Sequence, residues 1–371
     1  MNVTIEQAVL LRELGLLQGV VERKATIPML ANVLITAVED GRVVVMATDL
    51  EVSFKATFHA QVDAPGTVAV DARRLHDITR RLPPGNIGFR LQKDSLHVSL
   101  EKIRYRLATQ ETETFPTLPR REGEPSGAIE SRWLADMIRR VIFAVTTDDP
   151  RYSLGGALWK IETDRLTMVA TDGHRLALSS RPGRRLESEM GDIVVPRKAL
   201  AEIGKLAAED EGETRFWARG GTLFVEVGSR ELSTHLLEMK FPDYTRVLPK
   251  SNDKKLEVGT ADLRAAIERV AVLSQDQSRM VKLDLAESRL VLSSEHHAHG
   301  EAVEELSVVY GGKPLQIGFN AQYLVDFLAT CGTETVRLEL GEVMGQGLLH
   351  PTRPDDDERQ DRYVVMPMAL S

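Results

Sequence analysis

Residue types that commonly do chemistry form two short clusters in this chain of 371 residues. The segment 295–299 (EHHAH) brings imidazole and carboxylate groups together, and Zn²⁺ accepts both as ligands. Asp148 and Asp149 form a carboxylate pair of the kind that serves in general acid–base catalysis. Pro150 follows that pair, and EHHAH falls in the polar hairpin between two alternating apolar runs. We therefore interpret both clusters as polar turns.

The sequence patterns of nucleotide-binding and hydrolytic enzymes are missing from the printed sequence. It contains no G-x-x-x-x-G-K-[ST], no G-x-G-x-x-G after a strand, no G-x-S-x-G and no H-E-x-x-H. The single cysteine, Cys331, excludes an internal disulfide framework and a cysteine-rich zinc site, and it predicts a small buried side chain. We expect no enzymatic activity, no metal and no cofactor.

The chain carries a formal net charge of −8, which argues against a general nucleic-acid-binding protein. Positive charge is nevertheless concentrated on three amphipathic segments that are predicted to be helices. The basic residues are Arg73, Arg74, Arg80 and Arg81 in the first segment, Arg132, Arg139 and Arg140 in the second, and Arg197, Lys198 and Lys205 in the third. If these helices line one surface, that surface attracts phosphate groups without reading bases.

The three thirds of the chain repeat one plan. Leu75, Leu200 and Leu324 occupy equivalent places in short amphipathic helices that follow a strand, at an interval of about 125 residues. The strings FPTL, FPDY and MPMA recur at nearly the same interval. Segments 121–128 and 249–255 are polar and lack apolar periodicity, which is typical of linkers.

We therefore predict three similar domains that span 1–124, 125–253 and 254–371. Period-two apolar stretches predict antiparallel strands, and each domain contains two amphipathic helices, so the fold class is α+β. No apolar run reaches the roughly 18 to 20 residues that a membrane span requires, and the N-terminus lacks the basic character of a signal peptide. A cytoplasmic location without membrane association is expected.

Seven strings of the sequence match one family in order and spacing. They are MATDLE, RYSLGGALW, VATDGHRLAL, VVPRKAL, FPDYTRVLPK, IGFNAQYL and YVVMPM, which together span nearly the whole chain. The chain thus resembles the beta subunit of bacterial DNA polymerase III, the DNA sliding clamp. The resemblance implies a DNA clamp fold of three domains, with two helices of each domain facing the interior of a ring and antiparallel sheets outside. It also implies a head-to-tail homodimer.

The resemblance further implies three sets of site residues. DNA contact is expected from Lys24, Arg73, Asp148, Tyr152, Ser153 and Arg197. The dimer contact would join Lys102, Arg104, Tyr105 and Leu107 of one protomer to Val272, Leu273, Glu301, Glu304 and Glu305 of the other. A groove for partner peptides, at the junction of the second and third domains, would be lined by Leu154, Thr171, Gly173, His174, Arg175, Leu176, Pro242, Arg246, Val247, Asn320, Tyr323, Val364, Val365, Met366, Pro367 and Met368. Within it, Arg175, Arg246 and Asn320 would hold the peptide backbone by hydrogen bonds.

Processivity is the function that the resemblance implies. The ring would encircle duplex DNA without sequence specificity. It would hold the DNA polymerase III alpha subunit, other polymerases and repair proteins by their clamp-binding peptides, and a clamp loader would open it. An alternative interpretation is a scaffold of three repeats that binds proteins without encircling DNA.

Overall fold

Helices fall at the places in the chain that the amphipathic pattern predicts. The computed structural model describes residues 1–22, 27–146, 154–183, 191–275, 278–354 and 358–370. Within them the α-helices are α1 (Gln7–Leu17), α2 (Ala72–Arg81), α3 (Ser131–Val141), α4 (Arg197–Ala208), α5 (Thr260–Val270) and α6 (Ala321–Cys331). Two of these helices lie in each third of the chain, as predicted.

Local sequence explains where α2 and α6 begin and where α6 ends. Asp71 caps α2, since its side chain accepts the backbone N–H of Arg74 at 2.8 Å. Asn320 caps α6 in the same way, with the backbone N–H of Gln322 at 2.9 Å. Gly332, with a φ of 68°, ends α6 in the left-handed conformation that glycine adopts without strain.

Strands make up most of the rest of the described chain. The first third contains β1 (Asn2–Glu6), β2 (Asn32–Ala37), β3 (Arg42–Thr48), β4 (Val52–His59), β5 (Gln61–Ala64), β6 (Gly66–Asp71), β7 (Asn86–Gln92), β8 (Ser95–Leu100) and β9 (Ile103–Ala108). The second contains β10 (Gly127–Glu130), β11 (Gly156–Glu162), β12 (Arg165–Thr171), β13 (Arg175–Pro182), β14 (Ile193–Pro196), β15 (Glu213–Arg219), β16 (Thr222–Val227) and β17 (Arg230–His235). The last contains β18 (Lys254–Gly259), β19 (Met280–Ala286), β20 (Arg289–His296), β21 (Gly300–Ser307), β22 (Leu315–Asn320), β23 (Thr335–Leu340), β24 (Gly347–Pro351) and β25 (Gln360–Val365).

These strands pair antiparallel in four sheets. The strand orders are β5-β1-β7-β8-β9, β10-β15-β16-β17-β4-β3-β2-β6, β14-β11-β12-β13-β25-β24-β23-β18 and β21-β20-β19-β22. Each eight-stranded sheet therefore combines four strands from each of two thirds of the chain. The joining pairs are β17 with β4 and β13 with β25.

The joining strands occupy equivalent places in the three repeats. β9, β17 and β25 each end a four-strand series, namely β1-β7-β8-β9, β10-β15-β16-β17 and β18-β23-β24-β25. β4, β13 and β21 end the other series, namely β6-β2-β3-β4, β14-β11-β12-β13 and β22-β19-β20-β21. Both joins pair a strand of the first kind with a strand of the second. β9 and β21 are the members of each kind that no strand of the described chain covers.

Two compact units result, and they cut across the three repeats. The first comprises residues 1–135 and 198–236, and the second comprises 136–197 and 237–371. In the first unit, the β17 residue Arg230 donates to Glu13 of α1 through two hydrogen bonds of 2.6 and 2.8 Å, and both side chains are buried. The hydrogen bonds from Arg230 to Glu13 raise the pKa of the Arg230 guanidinium further above its ordinary value.

The segment 121–128 is more ordered than a linker. Arg121 pairs with Glu226 and with Glu231, and its guanidinium lies 4.4 Å from the ring centre of Trp217. The last two residues of the segment already belong to β10. Composition alone predicted a linker because the partners of Arg121 lie about 100 residues away in sequence, where a local pattern cannot detect them.

A buried network of charges holds β13 and β25 together in the second unit. The guanidinium of Arg181 donates to both oxygens of Asp361 at 2.9 and 3.0 Å and to Asp136 at 2.8 Å. Ser179 and Arg353 also donate to Asp361. Burial opposes the ionisation of Asp361, but the neighbouring arginines outweigh it and hold the pKa of this carboxyl below its ordinary value.

Arg140 belongs to the same network, which corrects its predicted place on the solvent face of its helix. It is 8% exposed, lies 2.8 Å from Asp136 and donates to the carbonyl oxygen of Cys331 at 2.9 Å. Arg140 therefore contributes no positive charge to the helix surface. Cys331 is fully buried, as its sequence context predicted.

Asp361→Asn should destabilise the second unit by about 3 kcal/mol, because it leaves the buried guanidinium of Arg181 without its main counter-charge. Urea-induced unfolding followed by intrinsic fluorescence measures the change. Asp77→Asn removes an exposed helix-surface pair and is the matched control, with an expected change within about 0.5 kcal/mol. Equal stability of the two variants would contradict a structural role for the network.

Lowering the pH should reduce the free energy of unfolding through the same carboxylates. Because the pKa values of Asp136 and Asp361 are lowered in the folded protein, their contribution to stability is complete above the ordinary carboxyl pKa of about 4. It is lost progressively as pH falls below that value towards the lowered pKa values. The free energy of unfolding of Asp361→Asn should accordingly fall less steeply with acid than that of the wild type.

Candidate functional site

A pocket of about 200 Å³ opens on the third sheet, within the second unit. Its walls come from the ends of β12, β13 and β25 and from the segment 241–247. A cluster of buried apolar residues forms its base: Leu158, Val169, Leu176, Leu178, Val194, Phe241 and Val364. Tyr244, Val247, Leu237, Leu248 and Leu348 pack against this cluster and are partly exposed. The pocket therefore exposes an apolar surface to solvent, where a ligand can bind.

The hairpin between β12 and β13 forms one wall and is fixed by its own side chains. Asp172 accepts the backbone N–H groups of His174 and Arg175, each at 3.0 Å, and the Thr171 hydroxyl donates to the Arg175 carbonyl at 2.7 Å. Gly173 has a φ of 88°, which a side chain at this position would strain. The sequence TDG thus sets a rigid turn at the rim of the pocket.

The first third of the chain contains the same turn. Asp49 accepts the backbone N–H groups of Glu51 and Val52, and Thr48 donates to the Val52 carbonyl at 3.1 Å. Leu50, at the place of Gly173, has a φ of 78° and is half exposed. Thr48-Asp49 and Thr171-Asp172 therefore form equivalent turns in the first and second thirds of the chain.

Arg175 is held by the protein itself. Its guanidinium donates to Asp172 at 2.9 Å, to Asp326 at 2.6 Å and to the Phe143 carbonyl at 2.6 Å. It also lies 4.4 Å from the ring centre of Tyr323. Three of its five N–H donors are thus engaged, and the side chain is mostly buried. Its main effect here is to anchor the hairpin to α6.

The segment 241–247 forms the opposite wall. Asp243 accepts the Thr245 hydroxyl at 2.6 Å and the Arg246 guanidinium at 2.9 Å. The hydrogen bond from Thr245 holds the pKa of the Asp243 carboxyl below its ordinary value. Tyr244 turns towards the apolar cluster, and burial raises the pKa of its hydroxyl. Arg246 points to solvent, with 83% of its side chain exposed.

The last strand and the residues after it complete the pocket. Val364 lies in β25 opposite Leu176 of β13, and the backbone N–H of Met366 donates to the His174 carbonyl at 2.9 Å. Met368 turns away, since its N–H donates to the Gly318 carbonyl at 2.8 Å. Met366 is therefore the methionine of the C-terminal segment that reaches the pocket.

Ten of the predicted groove residues line this pocket: Leu154, Thr171, Gly173, His174, Arg175, Leu176, Pro242, Val247, Val364 and Met366. The others lie outside its lining: Arg246, Asn320, Tyr323, Val365, Pro367 and Met368. Among them, Val365 is fully buried and Asn320 caps α6, whereas Tyr323 stacks on His174 with ring centres 6.4 Å apart.

Sequence reasoning missed three lining residues, namely Phe241, Asp243 and Tyr244. They flank Pro242 in the string FPDY, so the signal was present in the sequence. Asp243 two residues before Thr245 is the pattern of a turn in which the aspartate side chain accepts a backbone N–H, and Tyr244 inside that turn is well placed to pack against the apolar cluster.

Positive charges on the helices differ in how far they are neutralised. Arg74 approaches Asp71, Arg80 and Arg81 approach Asp77, Lys205 pairs with Glu202, and Lys198 pairs with Asp49. Within the described ranges, Arg73 of α2 and Arg197 of α4 are exposed and contact no carboxylate. These are the two predicted DNA contacts that the structure describes. Lys24, Asp148, Tyr152 and Ser153 lie outside the described residues.

The predicted dimer residues lie on two uncovered sheet edges. β9 carries Arg104, Tyr105 and Leu107, with Lys102 just before it, and five of its six residues are exposed. β21 carries Glu301, Glu304 and Glu305, while Val272 and Leu273 lie in a one-turn 3₁₀ helix, Ala271–Leu273, that contacts this strand. Exposed apolar groups accompany both edges, and Val272 is 78% exposed.

The candidate metal cluster proves to be a turn. β20 ends at His296 and β21 begins at Gly300, and the N–H of His299 donates to the His296 carbonyl at 3.0 Å. Among the residues that the structure describes, no three His, Cys, Asp or Glu side chains are grouped to hold a metal ion. The pair Asp148 and Asp149 lies outside those residues.

Comparisons with known proteins give one family over the whole chain. Models of the DNA polymerase III beta subunit match in three parts: the N-terminal domain at residues 1–119, the central domain at 128–243 and the C-terminal domain at 245–369. None of the described helices is long and apolar enough to cross a membrane.

Individual relatives agree with the family models. The beta sliding clamp of Pseudomonas aeruginosa is 37% identical to this chain, and that of Escherichia coli K12 is 34% identical, each over the full length of both chains. A crystal structure of the Pseudomonas aeruginosa sliding clamp bound to griselimycin superposes with a TM-score of 0.91 at 37% identity and covers both chains completely.

Proposed function

This chain belongs to the family of bacterial DNA polymerase III beta subunits, and we propose that it forms a closed ring around duplex DNA and tethers polymerases to it. It is a non-catalytic sliding clamp that confers processivity. Three clamp domains, at 1–124, 125–253 and 254–371, make up each protomer. Its place of action is the cytoplasm.

The strand pairing carries the proposal of a ring. Both internal joins pair a strand of the β9 kind with a strand of the β21 kind, antiparallel in each case. No strand of the described residues covers β9 or β21, and an uncovered edge is a template for another strand. Pairing β9 of one protomer with β21 of a second repeats the internal join. Two such contacts close a head-to-tail dimer, so no edge of this kind is left over.

The chemistry of the two edges supports that pairing. Lys102, Arg104 and Arg106 make the β9 edge basic, and Glu301 and Glu305 make the β21 edge acidic. Apolar groups, Tyr105 and Leu107 against Val272 and Leu273, supply the centre of the contact. Within the chain, Glu304 pairs with Arg269, and Glu305 lies 3.7 Å from the guanidinium of Arg289. The hydrogen bond from Arg269 lowers the pKa of the Glu304 carboxyl. Opposite charges steer the two edges together and disfavour like-with-like contacts.

Among the cations of the described helices, Arg73 and Arg197 are best suited to DNA, because no carboxylate of the described residues neutralises them. Lys24 and the loop residues Asp148, Tyr152 and Ser153 stay predictions from the family resemblance. A few phosphate contacts are weak and depend on salt, which lets the ring slide while its closure prevents escape. A clamp loader that uses ATP opens the ring.

The apolar pocket is where partner proteins bind. DNA polymerase III alpha, other polymerases and repair proteins would insert a short peptide between the turn at Gly173 and the segment at Tyr244. Leu176, Val364 and Met366 offer apolar surface to it, and methionine adapts to different side chains. Two pockets per dimer allow two partners to be held near one primer terminus.

Retention on circular DNA separates the ring from the alternative of a protein-binding scaffold. The protein is loaded on a nicked circular plasmid with the host's clamp loader and ATP, and the complex is then cut once or left intact. We expect the protein to stay on intact circles and to leave cut ones, because the link is topological. Equal retention on both would mean direct binding and would contradict the ring, and failure to load would favour the scaffold.

Leu273→Ala should weaken the dimer about tenfold, since it removes apolar surface beside β21 worth about 1.4 kcal/mol. Sedimentation equilibrium measures the dissociation constant. Met239→Ala, a truncation of a 44% exposed side chain outside both edge strands, is the control and should leave the constant unchanged. An unaltered dimer in Leu273→Ala would refute this part of the interface.

Met366→Ala should weaken the binding of griselimycin and of peptides from the host's polymerase alpha subunit about tenfold. The methionine contributes apolar contact in the pocket worth about 1 to 2 kcal/mol. Isothermal titration calorimetry measures both affinities. Val309→Ala removes a side chain that is 85% exposed and does not line the pocket, so this variant should bind like the wild type. Equal losses in both variants would disprove the pocket as the partner site.

A further inference from the structure

A second pocket lies beside the apolar one and has the opposite character. It holds about 440 Å³ and is formed by β23, β24 and β25 with the residues around them. Four arginines and two carboxylates line it: Arg337, Arg353, Arg359, Arg362, Glu339 and Asp361. On a chain whose net charge is −8, this is a local excess of positive charge.

One face of β25 connects the two pockets. Side chains two residues apart on a strand point to the same face, about 6 to 7 Å from each other. Arg362 lines the polar pocket, whereas Val364 lines the apolar one. Leu348 of β24 pairs with Val364, packs against the apolar cluster and also lines the polar pocket. The two pockets therefore adjoin at the pair Leu348 and Val364.

Several of the charges in this polar pocket are already engaged. Arg353 pairs with the buried Asp361, and Arg337 pairs with Glu257. His350 lies with its Nε2 atom 3.3 Å from a carboxylate oxygen of Glu339. Arg362, by contrast, is exposed and contacts no carboxylate within the parts of the chain that the structure describes. It is the cation placed to meet an anionic ligand.

We propose that this polar pocket binds acidic residues that flank the apolar anchor of a partner peptide, and so ranks partners by the charge beside the anchor. The inference rests on the proposed peptide-binding function of the apolar pocket. An extended peptide advances about 3.3 Å per residue, so an Asp or Glu two or three positions from the anchor reaches Arg362. Complementary charge favours such partners, and a basic flank is repelled by the same surface.

Peptide variants test the proposal. The shortest segment of the host's polymerase alpha subunit that binds the protein is synthesised with Asp-Asp, Ser-Ser or Lys-Lys at one end or at the other. Fluorescence anisotropy measures the affinities for wild type, for Arg362→Gln and for Arg42→Gln. Arg42 is an exposed arginine of the first unit and serves as the matched control.

One end of the bound peptide lies beside the polar pocket. At that end, Asp-Asp should tighten binding to the wild type about three- to fivefold relative to Ser-Ser, and Lys-Lys should weaken binding. Raising the salt concentration should shrink this difference, because exposed charges are screened. Arg362→Gln should abolish the difference without changing the affinity of the Ser-Ser peptide, whereas Arg42→Gln should preserve it.

Three other outcomes would contradict the proposal or the peptide-binding function on which it rests. If the Ser-Ser peptide binds but the flanks make no difference, or if the difference survives in Arg362→Gln, the polar pocket has no such role. If no peptide binds and griselimycin does not bind either, the proposed peptide-binding function itself fails. If oligothymidylate binds in a manner that Arg362→Gln abolishes, while the peptide flanks are not distinguished, the polar pocket recognises nucleic acid and the proposal is overturned.

Discussion

A strand at the edge of a sheet exposes a row of backbone N–H and C=O groups, and this molecule is organised by where those edges find partners. Each repeat supplies one four-strand series of each kind, so the chain contains three edges of the β9 kind and three of the β21 kind. Two joins within the chain use two of each. Among the described strands one edge of each kind is left, β9 in the first third of the chain and β21 in the last, and a second copy satisfies both at once. In the proposed ring, a closed head-to-tail dimer, every edge of the two kinds is paired.

Buried charges accompany both joins. β17 carries Arg230, which pairs with Glu13, and the join of β13 with β25 buries Arg181 against Asp361. Buried ion pairs add little net stability, but misplacing one partner is costly. Because a slip of one residue turns every side chain to the other face, the pair at Arg181 favours a single register. That register in turn places Val364 and Met366 beside the turn at Gly173, so strand pairing and the apolar pocket are set by the same contacts.

Sequence patterns predicted what depends on local order. Amphipathic periodicity predicted two helices in each third of the chain, and the family resemblance supplied ten of the residues that line the apolar pocket. Contacts between distant segments could not be predicted in this way. Arg140 lies on the polar side of a helical wheel, yet its partners Asp361 and the Cys331 carbonyl come from about 200 residues later.

The distribution of free charge depends on the same distant contacts. Lys198 and Arg197 are neighbours of the same type in sequence, but Asp49 neutralises Lys198 and leaves Arg197 exposed without a carboxylate contact in the described part of the chain. Likewise, composition alone could not tell that Arg353 pairs with Asp361, whereas Arg362 contacts no carboxylate among the residues that the structure describes. Residue types predict where cations are abundant, and only the folded arrangement decides which of them can meet a ligand.

Hydrogen exchange at the two uncovered edges tests the central claim most directly. Outward-pointing backbone amides of β9 and β21 should exchange slowly in the assembled protein and quickly in protein dissociated by dilution, because the two strands pair only across protomers. Amides of the other edge strands of those sheets, β5 and β22, serve as the internal reference and should not change with dilution. Fast exchange of β9 and β21 in the assembled protein would contradict the proposed ring closure.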